Sequence, residues 1–330
     1  MKNNSILPVC GHQSSQDGNK LLRITVILTA LFLLTSCASS QDQTGANLER
    51  QIKLQQVEQE LRSEPVSKEK LTAAEFEEQG DSYLLKGDIN RAYIYYTKGL
   101  GVDPDDASLI HKQGTLLLKK NKFIEAEAVY EKLLADNNKD SVALEGRGKA
   151  YFGQGKFEEA ERDFLAALEI NSEQWQSQEF LGLIYSRRQE YDQAINRFKT
   201  ALGQQPRNES INNNLAVTYY LNGNFQEAVD LLKALLKTST SRKAYNNLAL
   251  ASFQLGFYEE ALAAFKRGSE NEAVAYNNMG YEFLNHKKFN EAIQAFEKAI
   301  NLHPKFYPSA QKNLDIAKHE LSKTVTEAEN

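Results

Sequence analysis

Cysteine, basic charge and long apolar runs are all scarce in this chain, and each shortage closes off a class of protein. Two cysteines, Cys10 and Cys37, in 330 residues give neither a disulfide framework nor a set of thiolates for zinc. Lys and Arg total 39 against 44 Asp and Glu, a formal charge of -5, whereas phosphate contacts need clustered cations; nucleic acid is therefore not an expected partner. The longest apolar run, residues 24–34, is too short to span a bilayer. Five histidines (His12, His111, His286, His303 and His319) have no spacing that sets two metal ligands on one helix face beside an acid, so no metal site is expected. The glycines of Gly146-Arg147-Gly148 and Gly153-Gln154-Gly155-Lys156 suggest a phosphate loop only faintly. No Lys-Ser or Lys-Thr pair follows and no strand precedes them. The expectation is a non-catalytic chain with no cofactor and no small-molecule substrate.

What is abundant is repetition. A unit of about 34 residues recurs seven times between residues 71 and 306, marked by a small residue at Gly80, Gly114, Gly148, Gly182, Ala216, Ala249 and Gly280. Twelve residues after each comes an alanine (Ala92, Ala126, Ala160, Ala194, Ala228, Ala261, Ala292), and four further on a large apolar residue (Tyr96, Tyr130, Phe164, Phe198, Leu232, Phe265, Phe296). Counting the small residue as unit position 8, the apolar positions 4, 7, 8 and 11 share one stripe of a first helix, and 20, 24 and 27 one stripe of a second. Each unit is thus predicted to be an antiparallel helix pair. Small residues at positions 8 and 20 let the backbones approach, and position 24 fills the space between neighbours. Position 15 is Gly87, Asn121, Gly155, Gly223 and Gly256 in five units, the composition of a left-handed residue ending a helix; Gln189 and Lys287 depart from it.

This pattern resembles the tetratricopeptide repeat. The resemblance implies an all-α fold, a right-handed superhelical solenoid in which no unit buries its apolar face alone. A last helix over residues 307–322, with Ala310, Leu314, Ala317 and Leu321 on one stripe, is expected to cap the open end, and residues 323–330 to form a disordered tail.

Ahead of the repeats, Leu34-Thr35-Ser36-Cys37 follows the apolar run and resembles the bacterial lipobox, in which the cysteine is lipidated and becomes the first residue of the mature protein. An ordinary signal peptide, or a buried helix that ends in cysteine, is the alternative. Loss of residues 1–36 removes Lys2, Lys20, Arg23 and Asp17 and moves the formal charge from -5 to -7. Ala38 and Ser39 after the cysteine, in place of aspartate, imply by the same resemblance an outer-membrane protein, lipid-anchored and facing the periplasm. Residues 37–70 read as a flexible tether, in which Leu48, Ile52, Val57 and Leu61 could line a marginal helix.

Candidate binding residues lie on the other face of the first helices. Positions 2, 6, 9 and 13 fall about 180° from the core stripe at 100° per residue, on the side that faces the groove in a stacked array. In the last three units position 6 is Asn214, Asn247 and Asn278, and position 5 is Asn213, Asn246 and Asn277. Asparagine offers a donor and an acceptor, so such a ladder can hold an extended peptide by its amides without reading its sequence. The alternative is a set of solvated residues copied with a duplicated unit. Tyr220, Phe253 and Tyr281 would add apolar anchors, unless they belong to the core. Shortened junctions after the fifth and within the sixth unit, residues 237–272, are expected to change the twist beside this ladder.

A lipoprotein built of these repeats resembles the outer-membrane assembly factors of pilus and secretion systems, in particular the lipoprotein of the tight-adherence (Flp) pilus apparatus. That resemblance rests on the lipobox, the repeats, and the late shortened unit flanked by Tyr245-Asn246-Asn247-Leu248-Ala249 and Tyr276-Asn277-Asn278-Met279-Gly280. It implies a protein that holds a secretin or other pilus component while the channel assembles. A pilotin-like or outer-membrane-biogenesis scaffold, and an adaptor for an envelope enzyme, are the other readings.

Overall fold

A computed structural model describes residues 71–303 and 307–329. Cys37, the expected leader and tether, and Pro304 lie outside the described residues. The described chain is all-α: α1 (Ala73–Leu85), α2 (Ile89–Val102), α3 (Ala107–Lys119), α4 (Phe123–Asp136), α5 (Ser141–Gly153), α6 (Phe157–Ile170), α7 (Trp175–Arg187), α8 (Tyr191–Gln204), α9 (Glu209–Leu221), α10 (Phe225–Leu235), α11 (Arg242–Gln254), α12 (Tyr258–Gly268), α13 (Glu272–Asn285), α14 (Phe289–Leu302) and α15 (Pro308–Glu329). Backbone contacts divide it into two units.

The smaller unit has Gln79–Ile94 as its main described part. Gly87 turns its chain at φ +79°, and the Asp88 carboxylate accepts the Arg91 amide at 3.0 Å to start α2.

The larger unit, Ala73–Glu78 with Tyr95–Asn330, is a stack of antiparallel helix pairs from α3 to α14, closed by α15. The first helix of a pair starts on a side-chain cap, except α7, where Gln174 makes no cap bond. Asp106, Asp140, Asn208, Ser241 and Asn271 each accept an amide of the following first turn. The second helix has no such cap. It is entered through one left-handed residue, at φ between 56° and 83° from Asn121 to Lys287. Gln189 (63°) and Lys287 (57°) adopt this conformation as Gly155 does (78°), so the turn geometry is imposed by the packed pair even where the residue does not favour it.

Where the two helices cross, position 8 touches position 24. A Cβ on Gly182 would stand 2.7 Å from the Phe198 ring, and one on Gly280 2.7 Å from Phe296. Phe164, Phe198 and Phe296 are fully buried there. The core is continuous along the second half of the stack: one cluster runs from Ala160 to Leu215 and another from Ala216 to Ala317, with Tyr219 and Leu231 packed against both.

The shortened junctions take up their deletions at helix ends. α10 and α12 have 11 residues where α8 and α14 have 14, so each is about one turn shorter, roughly 4.5 Å. At the end of the stack, Ala310, Leu314 and Ala317 are buried against α13 and α14 as a cap requires. The helix does not stop at residue 322. It runs on to Glu329, carried by the Lys323–Glu320 pair at 2.8 Å and by Thr324 and Thr326 hydroxyls bonded back to Leu321 and Ser322 carbonyls, with no glycine or proline to break it.

Candidate partner-binding face

Position 5 is a structural strut. In the larger unit its side chain is repeatedly bonded by the following helix pair. Ser108 donates to Glu77 at 2.6 Å, Ser177 to Glu145 at 2.9 Å and Ser210 to Glu179 at 3.2 Å. His111 meets Asp140 at 2.8 Å. Burial pushes the Glu179 carboxyl above its usual range, with the Ser210 hydroxyl offsetting part of the effect.

The asparagines continue this series. Asn247 donates its amide to Asn213 Oδ1 at 2.8 Å, and the two side chains are only 8% and 4% exposed. Asn313 of the capping helix donates to Asn277 at 3.2 Å. Asn246 is the exception. It bonds within its own pair, to the Gly268 carbonyl at 3.4 Å, and its Oδ1 lies where a Cβ on residue 268 would be, buried and without a partner.

The sixfold set of asparagines is therefore not one ladder. Asn213, Asn247 and Asn277 spend their side chains between helix pairs. Asn247 is drawn in because its unit begins 33 residues after the previous one, which brings its position 6 opposite the preceding position 5. Asn214 and Asn278 remain partly buried, and their side-chain amides have no hydrogen-bond partner among the described residues. Tyr281 is partly buried, packed against the core by its ring, as Tyr220 is; Phe253 is core, at 2% exposed.

The structure adds residues that the spacing argument passed over. Gln254 donates to the Tyr220 hydroxyl at 3.1 Å, and its carbonyl oxygen meets His286 Nε2 at 3.2 Å. This bridge links α9, α11 and the residue that caps the C-terminal end of α13. Glu282 lies beside it, its carboxyl pushed up to about 7 by burial; Tyr220 is pushed up to about 12 by burial and by the Glu282 charge. The signal in the sequence is a register violation. Position 10 is Leu116, Ala150, Ile184, Thr218 and Ala251 in the five preceding units, all buried, and then Glu282.

Among the described residues no group of three or more His, Cys, Asp or Glu side chains is placed to hold a metal ion, and no helix is long and apolar enough to cross a membrane. The arrangement offers hydrogen bonds, one carboxylate and aromatic surface, which is the chemistry of holding a polypeptide.

Five tetratricopeptide-repeat profiles match the chain, over residues 78–106, 111–176, 187–249, 242–268 and 273–306. The chain is a tetratricopeptide-repeat protein. A tetratricopeptide-repeat protein from Parabacteroides merdae is similar in structure at TM-score 0.51 and 22% identity, covering 74% of this chain and 98% of its own. PilF of Pseudomonas aeruginosa is similar at TM-score 0.52 and 19% identity, covering 59% of this chain and 90% of its own. At these identities the likeness is one of fold. A search of proteins of curated function returns no match. As a tetratricopeptide-repeat protein the chain is a protein–protein interaction scaffold, and its partners are proteins or peptides.

Proposed function

We propose that this tetratricopeptide-repeat protein is a non-catalytic scaffold that holds an extended polypeptide along the first helices of its last three repeats, and that it serves the assembly or stability of a pilus or secretion apparatus. The observation that carries the binding reading is the pair of amides at Asn214 and Asn278 left without a bond among the described residues, on a face where most neighbouring polar side chains are already bonded. These half-buried amides have no bond inside the stack to break, so an extended peptide can pair with them without disrupting the fold. Tyr281 beside them supplies a rigid apolar contact. The lipobox-like tetrapeptide ending at Cys37 supports anchoring to the outer membrane on its periplasmic side.

Crosslinking in the native envelope tests both parts. Wild-type protein is expected to recover a secretin or another pilus component. The variant Asn214→Ala, Asn278→Ala, Tyr281→Ala is expected to lose that recovery by about tenfold to a hundredfold, as the loss of roughly 1 kcal/mol at two or three contacts requires. Labelling with a palmitate analogue is expected on wild type and absent from Cys37→Ser. Recovery of a peptidoglycan or lipid enzyme in place of pilus proteins moves the chain to the adaptor class, and undiminished recovery by the triple variant removes this face from the account.

A further inference from the structure

We infer that Glu282, together with Tyr220 and Gln254, is a receptor for one basic side chain, lysine or arginine, of the polypeptide held along α9, α11 and α13. The inference deepens the scaffold reading above and rests on it.

The first ground is register. A carboxylate occupies a position that the five preceding repeats fill with buried Leu, Ala, Ile or Thr, and where Thr218 returns its hydroxyl to the Asn214 carbonyl at 2.8 Å. The second is the absence of an internal counter-ion. The two buried carboxylates of the stack are paired, Asp163 holding Arg147 in a two-pronged bond at 2.7 and 2.8 Å and Glu145 holding Lys149 at 2.6 Å, and the half-buried Glu179 keeps a Ser210 hydroxyl at 3.2 Å. Glu282 has no cation within ion-pair distance and no hydrogen bond to its carboxylate among the described residues. Nearby Lys288 is committed to the Tyr258 hydroxyl at 2.6 Å, and His286 is held by the Glu282 carbonyl at 2.8 Å and by Gln254. A half-buried carboxylate without a partner gains from a cation brought in from outside.

The third ground is what stands around the carboxylate. Glu282 stands one helical turn before His286, whose ring meets the Glu282 carbonyl at 2.8 Å and Gln254 at 3.2 Å, and Gln254 in turn reaches the Tyr220 hydroxyl at 3.1 Å, so the three groups sit on neighbouring turns of adjacent first helices. The Tyr220 oxygen accepts from Gln254, which leaves the phenol proton free to donate to an incoming carbonyl. Tyr220 and Tyr281 offer partly exposed ring surface, on which the methylene stem of a lysine or arginine can lie while its head reaches the acid. The formal charge of -5 favours the approach of a basic segment.

The test uses the full chain in detergent and fluorescein-labelled, N-acetylated nonapeptide pools whose central residue is lysine, arginine or norleucine, at pH 8. Norleucine keeps the stem and removes the charge. The lysine and arginine pools are expected to bind about tenfold tighter than the norleucine pool. In Glu282→Gln that preference is expected to vanish while norleucine binding stays within about twofold; Gln is nearly isosteric and removes a buried charge, so the variant folds. Equal binding of lysine and norleucine by wild type overturns the inference, and so does a preference that survives in Glu282→Gln; in both cases peptide binding itself stands. If no pool binds at all, the groove reading falls and the receptor with it.

Discussion

Phe198→Ala lowers the unfolding free energy by about 3–5 kcal/mol, read from the midpoint of urea denaturation. Phe198 is fully buried at the crossing of α7 and α8, against Gly182, and belongs to the cluster that runs from Ala160 to Leu215. Gly182 has no side chain to move into the space the ring leaves, and repeats on both sides fix the surrounding backbone, so the cavity persists. The place in the stack adds a second effect. In a linear array each repeat is stabilised by its neighbours, so a weakened middle repeat separates the array into two halves that unfold independently. A broadened or two-step transition is expected with the loss in midpoint. A loss under about 1 kcal/mol in a single sharp transition contradicts this packing.

The second large effect is a pH profile. Burial pushes the Glu282 carboxyl up to about 7, whereas in the unfolded chain it titrates near its ordinary 4.5. Between these values the folded protein binds a proton that the unfolded chain has released. The stabilisation is complete below about pH 4.5 and is lost as the pH rises through about 7, by roughly 2–4 kcal/mol. Glu282→Gln cannot ionise. Its stability is expected to match wild type near pH 4 and to exceed it near pH 8 by that amount. Other groups titrate in both proteins. Burial pulls the Glu260 carboxyl up, while Lys233 and Ser252 more than offset it in both proteins, and Tyr220, pushed up to about 12, stays protonated between pH 4 and pH 8. The difference between the two profiles therefore isolates Glu282. Parallel profiles show that the carboxylate is solvated and refute its role as an unpaired charge.

A protein that keeps such a residue forgoes stability that glutamine or leucine would supply. A carboxylate kept at a cost in stability is in keeping with a binding role.

The fold was legible because each repeat states its own geometry. Position 8 and position 24 meet as the spacing predicts, the left-handed turn recurs even at Gln189 and Lys287, and the stripe of Ala310, Leu314 and Ala317 covers the last pair. The binding face was only half legible. Helical periodicity fixes the direction of a side chain from its own axis but not what the next repeat places opposite it. Asn213 and Asn214 look alike in the sequence, yet one is locked to Asn247 across a junction of 33 residues and the other has no side-chain bond within the described stack. Glu282 was missed for the converse reason. Attention to the asparagine positions passed over a residue whose significance lies in the register it breaks. The end of α15 differs from the expected disordered tail: a polar stretch with no core stripe reads as disordered, whereas here the helix of the cap continues through good helix formers with no glycine or proline to break it.

The account divides neighbouring asparagines between structure and partner capture, and Asn213→Ala beside Asn214→Ala measures that division most directly. Each variant is taken through urea denaturation and through the envelope crosslinking experiment. Asn213→Ala orphans the buried Asn247 amide and is expected to lose about 1–3 kcal/mol of stability while still capturing its partner under native conditions. Asn214→Ala is expected to unfold within about 0.5 kcal/mol of wild type and to capture several-fold less. The reverse pattern, with Asn214→Ala destabilised and Asn213→Ala unable to capture, contradicts the assignment of Asn213 to the stack and Asn214 to the partner.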